Sequence, residues 1–292
     1  MNILLTGASG YIGSSLLPHL LEKGHRVIVL LRPGKKAPSG VEVIEGDLLD
    51  PVSLKKIPKE IDAAYYLVHS MAQSSKGFFE LEERSARNFV EALEQTRAKQ
   101  VIYLSGLSHG ENLSLHFASR KNVEKILQEG KIPVTVLKSS IIIGKGSASF
   151  QIIQDLVRRL PVMITPKWLH QLTQPISVEN VMEYLTLVLG HEKCLGKTFE
   201  IGGPDVLSYK GLLLRVAELQ HLKRWIFTVP VLTPKLSAYW LYFVTSASYL
   251  LAATLIESLK TPSVCEEESI QELFPIRLFS FDESVKKALR AL

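Results

Sequence analysis

Three glycines near the start of the chain have the spacing of a phosphate-binding turn. Gly7, Gly10 and Gly13 follow the apolar run 2–5, which predicts a strand, and a helix is predicted from about residue 11. In such a turn the first glycine permits a sharp bend, the second lets a pyrophosphate approach the backbone, and the third lets helix and strand pack closely. The amide groups at the helix start then face the phosphates. The predicted cofactor contacts here are Gly7, Ser9, Gly10, Tyr11, Ile12 and Gly13.

The context of these glycines decides between two interpretations. Glycine-rich turns also occur as plain connections, so a purely structural turn is the alternative. A strand before the turn and a helix after it favour a dinucleotide site.

A basic segment follows the second predicted strand, where an NAD site usually carries an acidic residue for the ribose 2′-hydroxyl. Arg32, Lys35 and Lys36 stand there instead. A guanidinium forms charge-assisted hydrogen bonds with a 2′-phosphate. NADP(H) is therefore the preferred cofactor and NAD(H) the alternative, while a solvated basic loop is the second interpretation of the segment.

Asp47 and Leu48 follow the third predicted strand and are candidates for the adenine end of the cofactor. The Asp47 carboxylate would accept a hydrogen bond from the adenine amino group, and Leu48 would cover the ring. A helix N-cap is the other role for this segment, because Asp50 and Pro51 also mark a helix start. Both roles can hold together.

Short apolar runs alternate with longer amphipathic stretches up to about residue 145. The runs are continuously apolar, which is typical of parallel strands covered on both faces. The alternation predicts right-handed βαβ units and a doubly wound parallel sheet, an α/β Rossmann fold with its ligand beyond the carboxyl ends of the strands. The predicted strands are 2–6, 26–31, 41–45, 62–68, 100–104 and 133–138, and the predicted helices are 11–23, 77–96 and 117–129.

Helix-like segments dominate beyond residue 145. The predicted helices are 147–159, 178–189, 208–220 and 235–259, with one late strand at 197–201. We therefore expect an NAD(P)-binding Rossmann domain over 1–145, which also takes in a strand-and-helix unit near 173–189. The remainder, 146–292, is expected to be mainly a smaller, mostly helical lobe for a substrate or partner.

Several motifs together resemble the short-chain dehydrogenase/reductase superfamily, and more closely its extended and atypical members. They are the glycine turn, Arg32, the Gly46-Asp47-Leu48 segment, the strand ending at Ser105, and the segments 174–181 and 199–209. The tract from residue 69 to residue 150 is similar to an atypical bacterial NAD(P)-binding branch, related to NmrA-like proteins and the NADPH-binding accessory subunit of respiratory complex I. This resemblance covers 1 to about 260 and implies the fold and cofactor more strongly than the reaction.

The helix after the fifth strand departs from the superfamily pattern. Catalytic members carry a Tyr and a Lys four residues apart there, whereas this chain has His116 and Arg120 at that spacing and no tyrosine in the helix. Because an unperturbed imidazole has a pKa near neutrality, His116 is a candidate general acid or base. Arg120 could hold a ribose or phosphate but not act as a base, and Ser105 could orient a substrate oxygen. The alternatives are a structural network at the helix start, with Arg120 pairing with Glu124, or contact with the cofactor alone.

Two further residues are candidates for the cofactor site. His69 follows the fourth strand, where the chain passes near the cofactor, although a loop or core-edge histidine is the other interpretation. Lys138 ends the sixth strand, close to where a nicotinamide lies in such folds. A buried lysine needs a partner, so Lys138 is either functional or a surface residue that extends its amine to water.

Composition narrows the choice of partners and compartment. The chain has 292 residues and a net charge of +5, with Lys and Arg scattered among acidic residues, so nucleic-acid binding is not predicted. Cys194 and Cys265 form neither a metal nor a disulfide framework, which suits a reducing cytoplasm. The chain starts directly with a strand, so no signal peptide is expected.

The tract 236–256 has 21 residues without a formal charge. Its length matches a bilayer span, but its Ser, Thr, Tyr and Trp content favours buried helices that line a substrate cleft. A membrane-surface or protein-partner face is the second interpretation, and membrane association of a cytoplasmic protein would follow from it. An apolar cleft would suit a small hydrophobic substrate.

Two functional hypotheses follow. The first is an NADP(H)-dependent oxidoreductase acting on a small hydrophobic carbonyl, enone or quinone-like compound. The second is a non-catalytic NADP(H)-binding redox sensor, or an assembly factor for a membrane complex, which the missing tyrosine favours.

Overall fold

A computed structural model describes residues 1–68, 77–109, 114–229, 260–266 and 269–290. The chain divides into two compact units. The first comprises 1–105, 119–138 and 182–199, and the second comprises 106–118, 139–181 and 200–292. His69 and the tract 236–256 lie outside the described residues.

The largest sheet in the described residues has seven strands. Its strands are β1 (Asn2–Thr6), β2 (Arg26–Leu31), β3 (Glu42–Glu45), β4 (Ala63–Tyr66), β5 (Gln100–Gly106), β6 (Val134–Ser139) and β11 (Thr198–Ile201). The spatial order is β3-β2-β1-β4-β5-β6-β11. β1 pairs in parallel with β2 and with β4. The chain adds β2 and β3 on one side of β1 and then β4, β5 and β6 on its other side. The predicted doubly wound α/β fold is confirmed.

Continuous apolar strands explain why this sheet forms. Four successive residues of β4 are buried, as are the last five residues of β2. Such strands need helices on both faces. In the first unit, Tyr66 and Phe89 meet edge to face with ring centroids 4.9 Å apart. The Tyr65 hydroxyl donates to the Leu185 carbonyl at 2.8 Å, so a late helical segment is tied to β4.

The helices begin at recognisable caps. The Asp50 side chain accepts from the Val52 amide at 3.1 Å, and Ser208 accepts from the Gly211 amide at 3.0 Å. Each cap supplies an acceptor for an amide that has none within its helix. The described helices are α1 (Tyr11–Glu22), α2 (Pro51–Leu54), α3 (Phe78–Leu93), α4 (Leu115–Glu129), α5 (Ala148–Arg159), α6 (Val178–Leu187), α7 (Tyr209–Leu219), α8 (Ser269–Leu273) and α9 (Phe281–Arg290).

The second unit contains more strands than the sequence predicts. Beyond the late strand β11, short pairs form between β7 (Ile142–Ile143) and β10 (Ile176–Ser177), between β9 (Leu172–Thr173) and β12 (Leu207–Ser208), and between β8 (Val162–Pro166) and β13 (Trp225–Val229). The core of the unit gathers Phe150, Met163, Leu212 and Val285, all nearly inaccessible to solvent. None of the helices in the described ranges is long and apolar enough to cross a membrane.

Candidate functional site

The three glycines of the turn after β1 occupy positions that differ in what a side chain would meet. Gly7 has φ +76°, and a Cβ there would lie 2.4 Å from the Leu67 carbonyl oxygen. A Cβ on Gly13 would lie 2.3 Å from the Gly7 carbonyl oxygen, so this glycine lets α1 approach the turn. A Cβ on Gly10 would meet only the Gly7 oxygen, at 3.2 Å, and otherwise open space. Two glycines are thus required by packing, and the third leaves the turn open on the outside.

The start of α1 presents backbone amides at this open side. The Gly10 amide donates to the Gly7 carbonyl at 2.9 Å and closes the turn, and the first bond within the helix runs from the Ser14 amide to the Gly10 carbonyl at 2.9 Å. The amides of Ile12 and Gly13 precede that bond, and the N-cap Gly10 has no side chain to accept from them. Ser9 is exposed beside them. These donors, together with the positive end of the helix dipole, fit the phosphates of a dinucleotide.

The strands that precede the predicted adenosine contacts end level with one another. Thr6 lies opposite Leu30 across β1 and β2, and Leu31 lies opposite Glu45 across β2 and β3. Arg32 therefore follows β2 at the same edge of the sheet. Its side chain is exposed and makes no ion pair with any described residue. Its guanidinium is accessible to an incoming phosphate.

In the segment after β3, different residues are placed for the two roles that the sequence left open, the helix N-cap and the adenine contact. Asp50 is the cap of α2, whereas one Asp47 carboxylate oxygen accepts from the Leu49 amide at 2.9 Å. Asp47 is half-buried and retains a second carboxylate oxygen. Leu48 is only 6% exposed and packs into the core of the first unit, so little of its side chain remains to cover an adenine.

Sequence reasoning missed the residues that hold this segment. The Asn88 side chain donates to the Leu48 carbonyl at 2.7 Å, and the Arg84 guanidinium donates to the Leu49 carbonyl at 2.6 Å. Both belong to α3 and lie four residues apart, so they share a face of the helix. The four-residue spacing can be seen in the sequence, but the backbone carbonyls that the two side chains bind cannot.

The helix α4 carries His116 and Arg120 one turn apart. The Arg120 guanidinium donates to the Leu104 carbonyl and lies 5.1 Å from the centroid of the Tyr103 ring. The alternative pairing of Arg120 with Glu124 is not what the structure places there, because the Lys138 amine lies 3.1 Å from a Glu124 carboxylate oxygen. Arg120 therefore anchors α4 to β5.

His116 is half-buried near the start of α4. The centroid of its imidazole lies 5.4 Å from that of the Phe117 ring. The Phe117 ring in turn covers Gly106, where an added Cβ would lie 2.6 Å from a ring carbon. A glycine directly after Ser105 thus lets the first turn of α4 pack against the backbone that leaves β5.

Ser105 and Tyr103 form a pair that sequence reasoning did not identify. They lie two residues apart on β5 and so point to one face of the sheet, and Ser105 is only 4% exposed. Burial raises the pKa of the Tyr103 phenol, while the neighbouring Arg120 and a hydrogen bond with Ser105 act in the opposite direction. The Tyr103 hydroxyl also donates to the Arg120 carbonyl at 3.4 Å, and the Arg120 guanidinium lies over the Tyr103 ring.

Lys138 is a partly buried lysine whose amine has a partner. Its side chain is 26% exposed and its amine is paired with Glu124, whose side chain is 12% exposed. A role for Lys138 at the nicotinamide remains a prediction. Within the described ranges no group of three or more His, Cys, Asp or Glu side chains is placed to hold a metal ion.

Comparison with known proteins defines the class to which this fold and turn belong. A family model described as NAD(P)H-binding matches residues 7–142, which contain the glycine turn, Arg32 and Ser105. Residues 7–142 therefore carry an NAD(P)H-binding domain, and the NAD(P)-binding resemblance given by the sequence is confirmed over this region.

Two curated relatives match part of the chain. The ceramide reductase of Caulobacter vibrioides is 26% identical over 166 residues, which are 55% of this chain and 52% of that protein. The photosystem II assembly factor Ycf39 of Synechocystis is 24% identical over 143 residues, which are 47% of this chain and 44% of that protein. The chain thus spans about half the length of the curated relatives it matches.

A solved structure shares the fold over nearly its whole length. The NADPH-dependent quinone oxidoreductase of Escherichia coli, determined with NADPH bound, superposes with a TM-score of 0.78 over 97% of this chain and 98% of its own. The sequence identity is 18%, so this similarity supports the fold alone.

Proposed function

We propose that this protein is an NADP(H)-dependent oxidoreductase that acts on a small hydrophobic carbonyl, enone or quinone-like compound. The observation that carries the proposal is the turn between β1 and α1. Gly7 and Gly13 are fixed by backbone contacts, whereas Gly10 borders open space beside the helix amides. Arg32, exposed at the same sheet edge, supports NADP(H) over NAD(H), since it suits a 2′-phosphate.

The proposed division of labour assigns the cofactor and the substrate to different parts of the chain. Residues 1–145, with the strand-and-helix unit near 173–189, would bind the dinucleotide, and 146–292 would mainly serve the substrate. The substrate class rests on the apolar tract 236–256 and on the kinds of compound named for the ceramide and quinone reductases above. The free cysteines suit a reducing compartment, so we place the reaction in the cytoplasm.

The nicotinamide, when bound, supplies the hydride. His116 would hold the proton that the reduced substrate oxygen receives, a role that suits an imidazole because the unperturbed side chain has a pKa near neutrality. Ser105, buried at the end of β5, would orient that oxygen through its hydroxyl. Arg120, whose guanidinium is bound to the Leu104 carbonyl, is a positioning residue for α4.

Replacement of His116 by Gln tests this mechanism. The amide cannot serve as a proton donor of suitable pKa, so kcat should fall by about 100-fold or more, the usual contribution of general acid catalysis. The Kd for NADPH, measured by fluorescence titration, should stay unchanged. His19→Gln, an exposed histidine of α1, is the control. Turnover by the His116 variant at the wild-type rate would remove this residue from the mechanism.

A second function has its own support. The helix α4 carries no tyrosine, and Ycf39, one of the relatives above, is a photosystem II assembly factor. A redox sensor or assembly factor would bind NADPH without consuming it, with the tract 236–256 as its face toward a membrane or protein partner. Tight NADPH binding with no oxidation in the presence of quinones, enones or aldehydes would establish this function instead.

A further inference from the structure

The small sheet formed by β8 and β13 in the second unit has one face in the core and one face in solvent. Met163 and Ile226 point inward and are 1% and 8% exposed. On the outer face Val162 lies opposite Trp225, and Ile164 lies opposite Phe227. These four side chains are 48%, 56%, 57% and 59% exposed. Side chains alternate along a strand, so the four form one continuous patch, which we call the β8–β13 face.

Large apolar side chains grouped on one exposed face mark an interaction surface more often than scattered ones do. Polar residues at positions 162, 164, 225 and 227 would leave the inner packing unchanged, since Met163 and Ile226 supply it. The apolar character of the outer face therefore calls for an explanation other than the stability of the core.

Cations border the β8–β13 face at both ends. Arg158 and Lys223 are exposed beside the amino ends of the two parallel strands, and Lys167 is exposed directly after β8. Arg224 is fixed there as well, because its guanidinium donates to the Val157 and Arg158 carbonyls. The Arg158 guanidinium donates to the Gln220 side-chain oxygen at 3.0 Å, and neither Arg158 nor Lys223 forms an ion pair with a carboxylate among the described residues.

We infer that the β8–β13 face docks on the surface of an anionic lipid bilayer. Trp and Phe favour the boundary between headgroups and acyl chains, and flanking Lys and Arg are attracted to anionic headgroups. A second copy of this chain fits the face less well, because it would bring two cationic borders together. The inference concerns an interaction surface and does not depend on the proposed reaction.

Vesicle flotation of the full-length chain tests the inference. The protein should float with vesicles of phosphatidylcholine mixed with phosphatidylglycerol, and it should bind vesicles of phosphatidylcholine alone much less. Higher salt should weaken the binding, because salt screens the attraction to the headgroups. The double variant Trp225→Gln/Phe227→Gln should bind the mixed vesicles at least about tenfold more weakly, because it removes two aromatic side chains that the bilayer would bury.

Matched variants distinguish this face from general stickiness. Val52→Gln/Leu214→Gln alters exposed apolar residues elsewhere and should float like the wild type. Arg158→Gln/Lys223→Gln should reduce the preference for anionic vesicles. Circular dichroism and NADPH affinity verify that each variant is folded. Wild-type binding to neither vesicle, or equal binding by the aromatic variant, would overturn the inference. So would a dimer that the aromatic variant abolishes without any vesicle binding.

Discussion

Replacement of Gly10 by Ala separates the folding role of the glycine turn from its binding role. Gly10 has φ −83° and ψ 168°, which an alanine adopts without strain, and the new Cβ would meet only the Gly7 oxygen at 3.2 Å. The lower chain entropy of alanine stabilises by about 0.4–1 kcal/mol, and its poorer quality as an N-cap offsets this gain. The free energy of unfolding should therefore stay within about 1 kcal/mol of wild type.

Replacement of Gly7 by Ala should behave differently. A left-handed conformation costs an L-residue about 1–2 kcal/mol, and here φ is +76°. In addition, the new Cβ would lie 2.4 Å from the Leu67 carbonyl oxygen, so the turn or the end of β4 must shift. We expect Gly7→Ala to lower the free energy of unfolding by more than about 2 kcal/mol.

The same Gly10 variant should bind NADPH poorly. Its methyl group would stand in the open space beside the amides of Ile12 and Gly13, where the pyrophosphate is expected. A hydrogen bond to a charged group contributes about 1.5–3 kcal/mol, so the loss of one raises the Kd for NADPH by about 10- to 150-fold.

Urea unfolding and calorimetric NADPH titration measure the two effects separately. An unchanged Kd in Gly10→Ala would show that the phosphates do not lie over this turn. A loss of stability as large as that of Gly7→Ala would show that the distinction between packed and open glycines is mistaken.

Three further variants address the rest of the site. Arg32→Asp should weaken NADPH binding by about 1.5–3 kcal/mol and NADH binding far less. The control Lys35→Asp makes the same charge change in the same loop and should have a smaller effect. Equal losses for both cofactors in Arg32→Asp would refute the 2′-phosphate contact. Lys138→Met should lower the free energy of unfolding by about 1–3 kcal/mol, because it leaves the Glu124 carboxylate buried and unpaired. Glu124→Leu in the same chain should restore part of the loss, and additive losses would contradict the pairing. Burial raises the pKa of the Cys194 thiol to about 11, so this cysteine should resist alkylation at pH 8 until the chain unfolds; its rapid reaction in native protein would contradict its burial.

The features that the sequence predicts best are those fixed by local constraints. The predicted strand 26–31 coincides with Arg26–Leu31, because a continuous apolar run is buried on both faces of the sheet. The helix predicted at 77–96 is found at Phe78–Leu93. The glycine turn can be predicted for the same reason, because the backbone geometry alone requires glycine at positions 7 and 13.

Contacts that depend on distant pairing could not be predicted. The strands β8 and β13 are only five residues long each. They pair Val162 with Trp225, which are far apart in the sequence. One alternative from the sequence paired Glu124 with Arg120 in the same helix, whereas the structure pairs Glu124 with Lys138 at the end of β6. The Arg120 guanidinium instead donates to the Leu104 carbonyl, and a backbone acceptor of this kind cannot be predicted from the sequence pattern.

Parallel titration of the wild-type protein with NADPH and NADH, followed by absorbance of the reduced nicotinamide with a panel of quinones and enones, tests the central claim most directly. The account predicts that NADPH binds about tenfold or more tightly than NADH, the scale of one charged contact, and that at least one hydrophobic acceptor consumes it. Failure to bind either cofactor would contradict the account at its base.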